Sequence, residues 1–245
     1  MNIPELTRNS RRKIGEAIHD FSLIRDGDRL MVGLSGGKDS LVLLLSLKAL
    51  QMRSPVSFGL EACTVDATDG QTNYRVLRDF CASFNVPYKV IPVPIYRLIE
   101  ERNEQSPCSF CANFRRGVLS SAAHENGCST LCLGHHLDDV VETTLMNLFF
   151  SGRFDCFMPL TWQDRTALRV IRPLVYLEES QISREAERLH LPVLDFLCRF
   201  SPDSRRAWVK KQVAILSQSV SNLKQNFLHA LRSEKSSLKG WHLPV

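Results

Sequence analysis

No run of apolar residues in this sequence approaches the ~20 that a membrane-spanning helix needs. Residues 1–28 are charged throughout and hold no apolar stretch of signal-peptide type, so a cytoplasmic protein with no membrane partner is expected. Low-complexity tracts and internal repeats are absent, which leaves an ordinary globular chain. Charge of one sign is not in large excess either. Thirty-one Lys and Arg against 26 Asp and Glu give a net +5, which suggests a polyanionic partner without demanding one. Eight cysteines without a secretory signal point away from a disulfide framework and toward thiols, metal or catalysis.

What is present suffices for one α/β core. With 245 residues, 44% of them hydrophobic, the chain can bury one main domain with a small helical appendage. We divide it into an N-terminal helix (1–28), a main α/β domain (29–200) and a C-terminal helical segment (201–245). The organising stretch runs from Leu30 to Leu45. Leu30 to Leu34 reads as a strand covered on both faces, and the apolar residues from Leu41 onward read as a helix packed back on the sheet. Between them lie Ser35, Gly36, Gly37, Lys38, Asp39 and Ser40. Two glycines let backbone N–H groups face an anion, and the helix dipole favours negative charge at that end. The spacing is not that of a Walker A loop, and Asp39 would repel phosphate unless Mg²⁺ lay between them.

Around this stretch the βα alternation continues. A helix is expected over Glu5 to Arg25, then strands at Ser57 to Val65, Tyr88 to Val93, Thr130 to Leu133 and Arg169 to Ile171. Helices are expected at Asn73 to Phe84, Ala112 to Glu125, Val140 to Phe150 and Glu178 to Leu189, with a closing helical run to about Leu231. The fold class is therefore α/β, a doubly wound, mostly parallel five-stranded sheet with N- and C-terminal helices. Two strands end in polar loops at the edge where such sheets bind ligands. One carries Asp66, and the other carries Gly134, His135, His136, Leu137, Asp138 and Asp139. The histidines and acids there suit either a metal site or, better, an acid that helps hold Mg²⁺ or caps the helix.

Cys108-Ser109-Phe110-Cys111 stands at a helix start, where it can be a metal half-site, a redox pair or chance. Cys63, Cys81, Cys128 and Cys132 lie in apolar contexts typical of core thiols, and Cys156 carries no signal either way. Basic residues gather in three places: Arg8, Arg11, Arg12 and Lys13; Arg115 and Arg116; Arg205, Arg206, Lys210 and Lys211. Each group suits a solvated helix face or a nucleic-acid contact.

Ser35 to Ser40 resembles the SGGxDS signature of PP-loop ATP pyrophosphatases, which cleave ATP between the α and β phosphates. Cys108 to Gly117, Leu133 to Asp139 and Ile171-Arg172-Pro173-Leu174 resemble, in order, three further motifs of the tRNA 2-thiocytidine synthetases of that superfamily. The likeness spans roughly Arg11 to Cys198. It departs near Cys198, where family members usually carry a second Cys-x-x-Cys and this chain has a single cysteine. The loop after Asp66 is shorter than usual and the late basic segment differs, as in a divergent paralogue.

The resemblance implies an ATP-dependent tRNA sulfurtransferase acting on an anticodon-loop cytidine. It implies ATP at Ser35, Gly36, Gly37, Lys38, Asp39, Ser40, Asp66, Gly134 and His135, and Mg²⁺ at Asp39. Catalysis would involve Asp39, Arg115, Asp138 and Asp139, and a [4Fe-4S] cluster would sit on Cys108, Cys111 and Cys198, a set that could also take zinc. RNA contacts would come from Arg11, Arg12, Arg116, Arg205, Arg206 and Lys210. The expected partners are tRNA and a sulfur donor, either a cysteine desulfurase or free sulfide, and a homodimer is open. Two other functions fit the residues less completely: an adenylating ligase without sulfur transfer, and a non-catalytic RNA-binding cluster protein.

Overall fold

The computed structural model describes residues 3–68, 70–194 and 205–232. Helix α1 (Arg8–Asp20) starts where the Thr7 hydroxyl accepts the Ser10 N–H, and it turns Ile14 and Ala17 inward. Strand β1 (Asp28–Gly33) leads through a glycine turn into α2 (Lys38–Gln51). Eight consecutive α2 residues, Ser40 to Leu47, are buried, because the helix is covered by the sheet on one side and by α7 (Glu179–Arg188) on the other. Each large aliphatic side chain buried there contributes roughly 1.5–3 kcal/mol.

The chain continues through β2 (Phe58–Asp66), α3 (Arg75–Ser83), β3 (Tyr88–Pro92), α4 (Ile95–Glu101), α5 (Pro107–Glu125), β4 (Thr130–Cys132) and α6 (Leu137–Ser151). It then forms β5 (Leu160–Gln163), β6 (Leu168–Ile171) and α7, followed by α8 (Arg205–Ser219) and α9 (Leu223–Arg232). The strand order is β3-β2-β1-β4-β6-β5, all parallel except β5. Alternation divides the core. Leu30 and Val32 of β1 face α1, α2, α3 and α7, whereas Met31 faces α4 and α5. Leu228 and Leu231 of α9 join the first of these clusters, and α8 packs Val209 and Val213 on Val141 and Leu145 of α6.

The doubly wound α/β class stands, with one correction: the sheet has six strands, not five. The extra strand, β5, is four residues long and pairs antiparallel with β6 through a tight turn, so it lacks the βα signature that marked the others. A short helix, α4, was also hidden behind Pro94. Among the described residues, no helix is long and apolar enough to cross a membrane.

The chain leaves β1 to build β2 and β3 on one side and returns to build β4 and β6 on the other. The β1/β4 boundary is thus the switch point of the sheet, where the connections diverge and open a crevice beyond the strand ends. The glycine turn after β1 lies at that boundary.

Candidate active site

The turn is held by its own serines. The Ser40 hydroxyl donates to the Gly37 carbonyl at 2.9 Å and accepts from the Ser35 N–H at 3.1 Å, while the Ser35 hydroxyl accepts from the Gly37 N–H at 3.3 Å. Gly36 adopts φ 87°, a left-handed conformation suited to glycine. Gly37 precedes α2 without a side-chain cap, so the helix start presents its N–H groups outward.

Gly134 brings the β4 loop against this turn. A Cβ on Gly134 would meet the Asp39 carbonyl carbon at 3.1 Å and the Ser40 nitrogen at 3.2 Å, so only glycine allows this approach. The loop then places His136 Nε2 3.8 Å from Asp39 Oδ1 and 3.5 Å from Asp139 Oδ2. Burial pushes the Asp39 carboxyl above its usual range; His136 and Lys38 oppose the shift and Asp139 adds to it. Asp39 Oδ1 is buried without a hydrogen bond, although the Lys38 ammonium is 3.4 Å away.

The neighbouring acids are more fully engaged. Asp138 accepts from the Glu179 N–H at 2.8 Å and pairs with Lys224 of α9 at 2.5 Å, tying α6, α7 and α9 together. Asp139 accepts from the His136 N–H at 3.0 Å and from Arg206 at 3.2 Å. Lys38 pairs with Glu179, which also binds Lys210. Arg206 and Lys210 are therefore turned toward acids at this edge, and Arg11 and Arg12 pair with Glu5 and Glu16 on the outside of α1. Glu179 and Lys224 had no distinguishing sequence context, because their roles depend on α7 and α9 meeting α6.

On the β2 side, Asp66 accepts from the Thr68 N–H, the Gly70 N–H and the Tyr74 hydroxyl. Burial opposes its ionisation, but those donors outweigh it and hold the carboxyl below its usual range. A cavity of about 770 Å³ opens beside it, lined by Asp66, Gly70, Thr72, Asn73 and Tyr74. On the β6 side, Arg172 is 4% exposed. Its guanidinium donates to the Met158 carbonyl at 2.6 Å and lies 5.0 Å from the Phe157 ring centre, while its Nε is buried without a partner. His135 also contacts this ring, 5.0 Å from Phe157 between ring centres. Burial, reinforced by Arg172, pushes His135 down to about 4, so it is neutral at pH 7. Phe157 gave no sequence signal, since it lies in irregular chain before β5.

Helix α5 spans both halves. Its Arg115 is close enough to Tyr74 to lower the phenol pKa, partly offsetting burial, and Arg115 Nε is buried without a hydrogen bond. Arg116 acts on Arg172, which burial and that second cation bring down to about 10. Arg116 itself is exposed and donates to Asn113 of its own helix at 2.8 Å.

The first turn of α5 holds Cys108, exposed, and Cys111, half-buried against the α4–α5 core. The other described cysteines are buried, and burial raises Cys63 to about 11, Cys81, Cys128 and Cys156 to about 12, and Cys132 further. A thiolate ligand is costly at those sites, whereas Cys108 and Cys111 stand at a surface helix start, where the dipole favours negative sulfur. The two therefore fit a cluster or metal half-site. Cys198 lies outside the described residues. Among the described residues, no group of three or more His, Cys, Asp or Glu is placed to hold a metal ion.

Residues 6–214 match the model of the PP-loop domain. The chain is 37% identical over 240 residues to the tRNA-cytidine(32) 2-sulfurtransferase of Alkalilimnicola ehrlichii, covering 97% of this chain and 76% of that one. The same-named protein of Anaeromyxobacter dehalogenans is 40% identical over 236 residues, covering 94% and 80%. This chain belongs to the PP-loop family, in the 2-sulfurtransferase branch. As a PP-loop protein it resembles the U34-tRNA thiolase NcsA from Methanococcus maripaludis, whose structure contains a [4Fe-4S] cluster. The TM-score is 0.75 at 26% identity, with 91% of this chain and 76% of that one covered. An NH₃-dependent NAD synthetase from Campylobacter jejuni shares the fold at TM-score 0.51 and 19% identity, covering 92% and 88%.

Proposed function

We propose that this protein is an ATP-dependent tRNA sulfurtransferase that replaces the C2 oxygen of a tRNA cytidine with sulfur. The observation that carries the reading is that one chain holds both a glycine turn at the start of α2, beside the switch point of the sheet, and an exposed Cys108 with a half-buried Cys111 in the first turn of α5. The names of the 37–40% identical relatives and the thiolase likeness support it.

ATP phosphates bind at Ser35 to Ser40, with Lys38 leaving Glu179 to meet them. Asp39, whose buried Oδ1 lacks a hydrogen bond, would hold Mg²⁺, an ion that takes few protein carboxylates. The cytidine O2 attacks the α-phosphorus and pyrophosphate departs, its developing charge met by Lys38 and the α2 N–H groups; Mg²⁺, when bound, would add to that neutralisation. Sulfide then adds at C2 and AMP leaves with the former oxygen. Arg115, whose buried Nε lacks a protein partner, would hold the adenylate, while Asp138 ties the α6 start to α7 and α9 and Asp139 caps it. Cys108, Cys111 and Cys198 would hold an iron-sulfur cluster, which would supply the sulfide. Arg11, Arg12, Arg116, Arg205, Arg206 and Lys210 supply cationic surface for the tRNA backbone. The sulfur donor is a cysteine desulfurase or free sulfide.

Nucleosides from a deletion strain and its parent test the reading. Thiolated cytidine should vanish on deletion and return with the wild-type gene but not with Asp39→Asn. An unchanged nucleoside profile on deletion would defeat the proposal.

A further inference from the structure

The last turn of α6 and the first turns of α8 expose a set of large apolar side chains. Leu148, Phe149 and Phe150 are 43%, 51% and 42% exposed, and Trp208 is 49% exposed. Their rings are gathered, with Trp208 6.2 Å from Phe149 and 6.0 Å from Phe150, both edge-on. The Arg205 guanidinium lies 5.0 Å from the centre of the Phe150 ring. Trp208 is not needed to seat α8, because Val209 and Val213 already bury that helix against Val141 and Leu145. An exposed apolar group of this size outside the core marks an interaction surface.

Charge identifies what it meets. The described α8 segment carries Arg205, Arg206, Lys210 and Lys211 and no acid, and the exposed Arg153 follows α6. All four cations are exposed, although Arg206 and Lys210 also pair with acids of α6 and α7. Aromatic rings interleaved with cations suit a polyanion that also presents flat faces: unpaired RNA bases stack on such rings, and the cations meet the phosphates. Helix α6 supplies the geometry. Its first turn, with Asp138 and Asp139, touches the phosphate-binding edge, and its 15 residues end at the aromatic group, ~21 Å away along the axis.

We propose that Trp208, Phe149 and Phe150 form a stacking platform for an unpaired base of the tRNA loop, a few nucleotides from the reacting cytidine. The inference rests on the tRNA reading and extends it by placing the bound loop along α6. Base stacking on an aromatic side chain is worth ~1–3 kcal/mol, which converts to about 5- to 150-fold in affinity.

Fluorescence anisotropy of a labelled anticodon stem-loop RNA against the full chain tests the platform. Trp208→Ala should weaken binding about tenfold with the salt slope unchanged. Trp208→Phe should restore most of the affinity, while Trp208→Leu, apolar but without a ring, should not. Arg205→Ala should instead reduce the salt slope by about one. Met52→Ala, at a residue 63% exposed just past the end of α2, should leave affinity unchanged. Where Trp208→Ala melts below wild type, the Phe149→Ala/Phe150→Ala variant gives the same reading. Wild-type affinity in Trp208→Ala, or full rescue by leucine, overturns the platform. So does sedimentation showing that Trp208→Ala dissolves a dimer while RNA affinity per protomer stays constant. Unaltered RNA binding by Trp208→Ala beside intact cytidine thiolation in cells overturns the platform alone. Failure of the wild-type chain to bind the RNA overturns both the platform and the proposed function.

Discussion

The Glu179 carboxylate accepts a hydrogen bond from the Lys38 ammonium at 3.0 Å and another from Lys210 at 2.9 Å, so one acid ties the phosphate-binding turn to α8. Burial disfavours the charge, but Lys210 and Lys38 outweigh it and hold the Glu179 carboxyl at about 2, below its ordinary 4.5. A depressed folded-state value contributes stability that is complete above pH 4.5 and is lost as pH falls through 2. Glu179→Gln should cost about 1 kcal/mol at pH 7, with the difference from wild type shrinking below pH 4.5. Urea unfolding at pH 7 and pH 3 measures this; an equal deficit at both would sink the assignment.

Gly134 meets the backbone of Asp39 and Ser40, not a yielding side chain. Gly134→Ala must therefore push the β4 loop away from the turn, at a cost of roughly 1–3 kcal/mol. It should also weaken ATP binding, because His136 and Asp39 move apart. Calorimetric titration with ATP and a thermal melt would show both effects. Wild-type ATP affinity in this variant would show that the close approach does not shape the nucleotide site.

The parts of this site that were legible in the sequence are local. A strand, a glycine turn and a buried helix follow one another from Leu30 to Leu45, and their chemistry is written in consecutive residues. Gly134, His135, Asp138 and Asp139 were legible for the same reason, since they share one loop and the helix it starts. Contacts between distant segments were not. Glu179 meets Lys38 across 141 positions, and Phe157 becomes a platform for Arg172 only when β5 folds beside β6. Strand β5 escaped for a related reason, because Leu160 to Gln163 forms a strand through its pairing partner more than through any pattern of its own.

Arg172 and His135 form a linked pair of buried groups. Burial comes first and Arg172 second in holding His135 down at about 4. Since the unfolded value is 6.5, the unfolded chain binds the proton first, so this stabilisation is present above pH 6.5 and is lost as pH falls through 4. Arg172→Met should raise the His135 pKa toward 6.5, whereas Arg172→Lys should raise it less. NMR titration of the His135 ring reads the shift directly. No movement in Arg172→Met would assign the depression to burial alone.

The cysteines make the last prediction. Cys108 and Cys111 reach the surface of one helix turn, while the five described cysteines elsewhere are buried with raised thiol pKa values. Anaerobic reconstitution with iron and sulfide should therefore give wild-type protein about four irons per chain and a broad visible absorbance. Cys108→Ala, Cys111→Ala and Cys198→Ala should each lose most of both, because two remaining thiolates hold a cluster poorly. Cys81→Ala should keep both, although removing a buried thiol lowers its melting temperature. Zinc, instead of iron, in protein purified without oxygen would show that the same thiolates serve another metal. Wild-type iron content and spectrum in Cys198→Ala would leave Cys108 and Cys111 without their third partner and defeat the three-cysteine site.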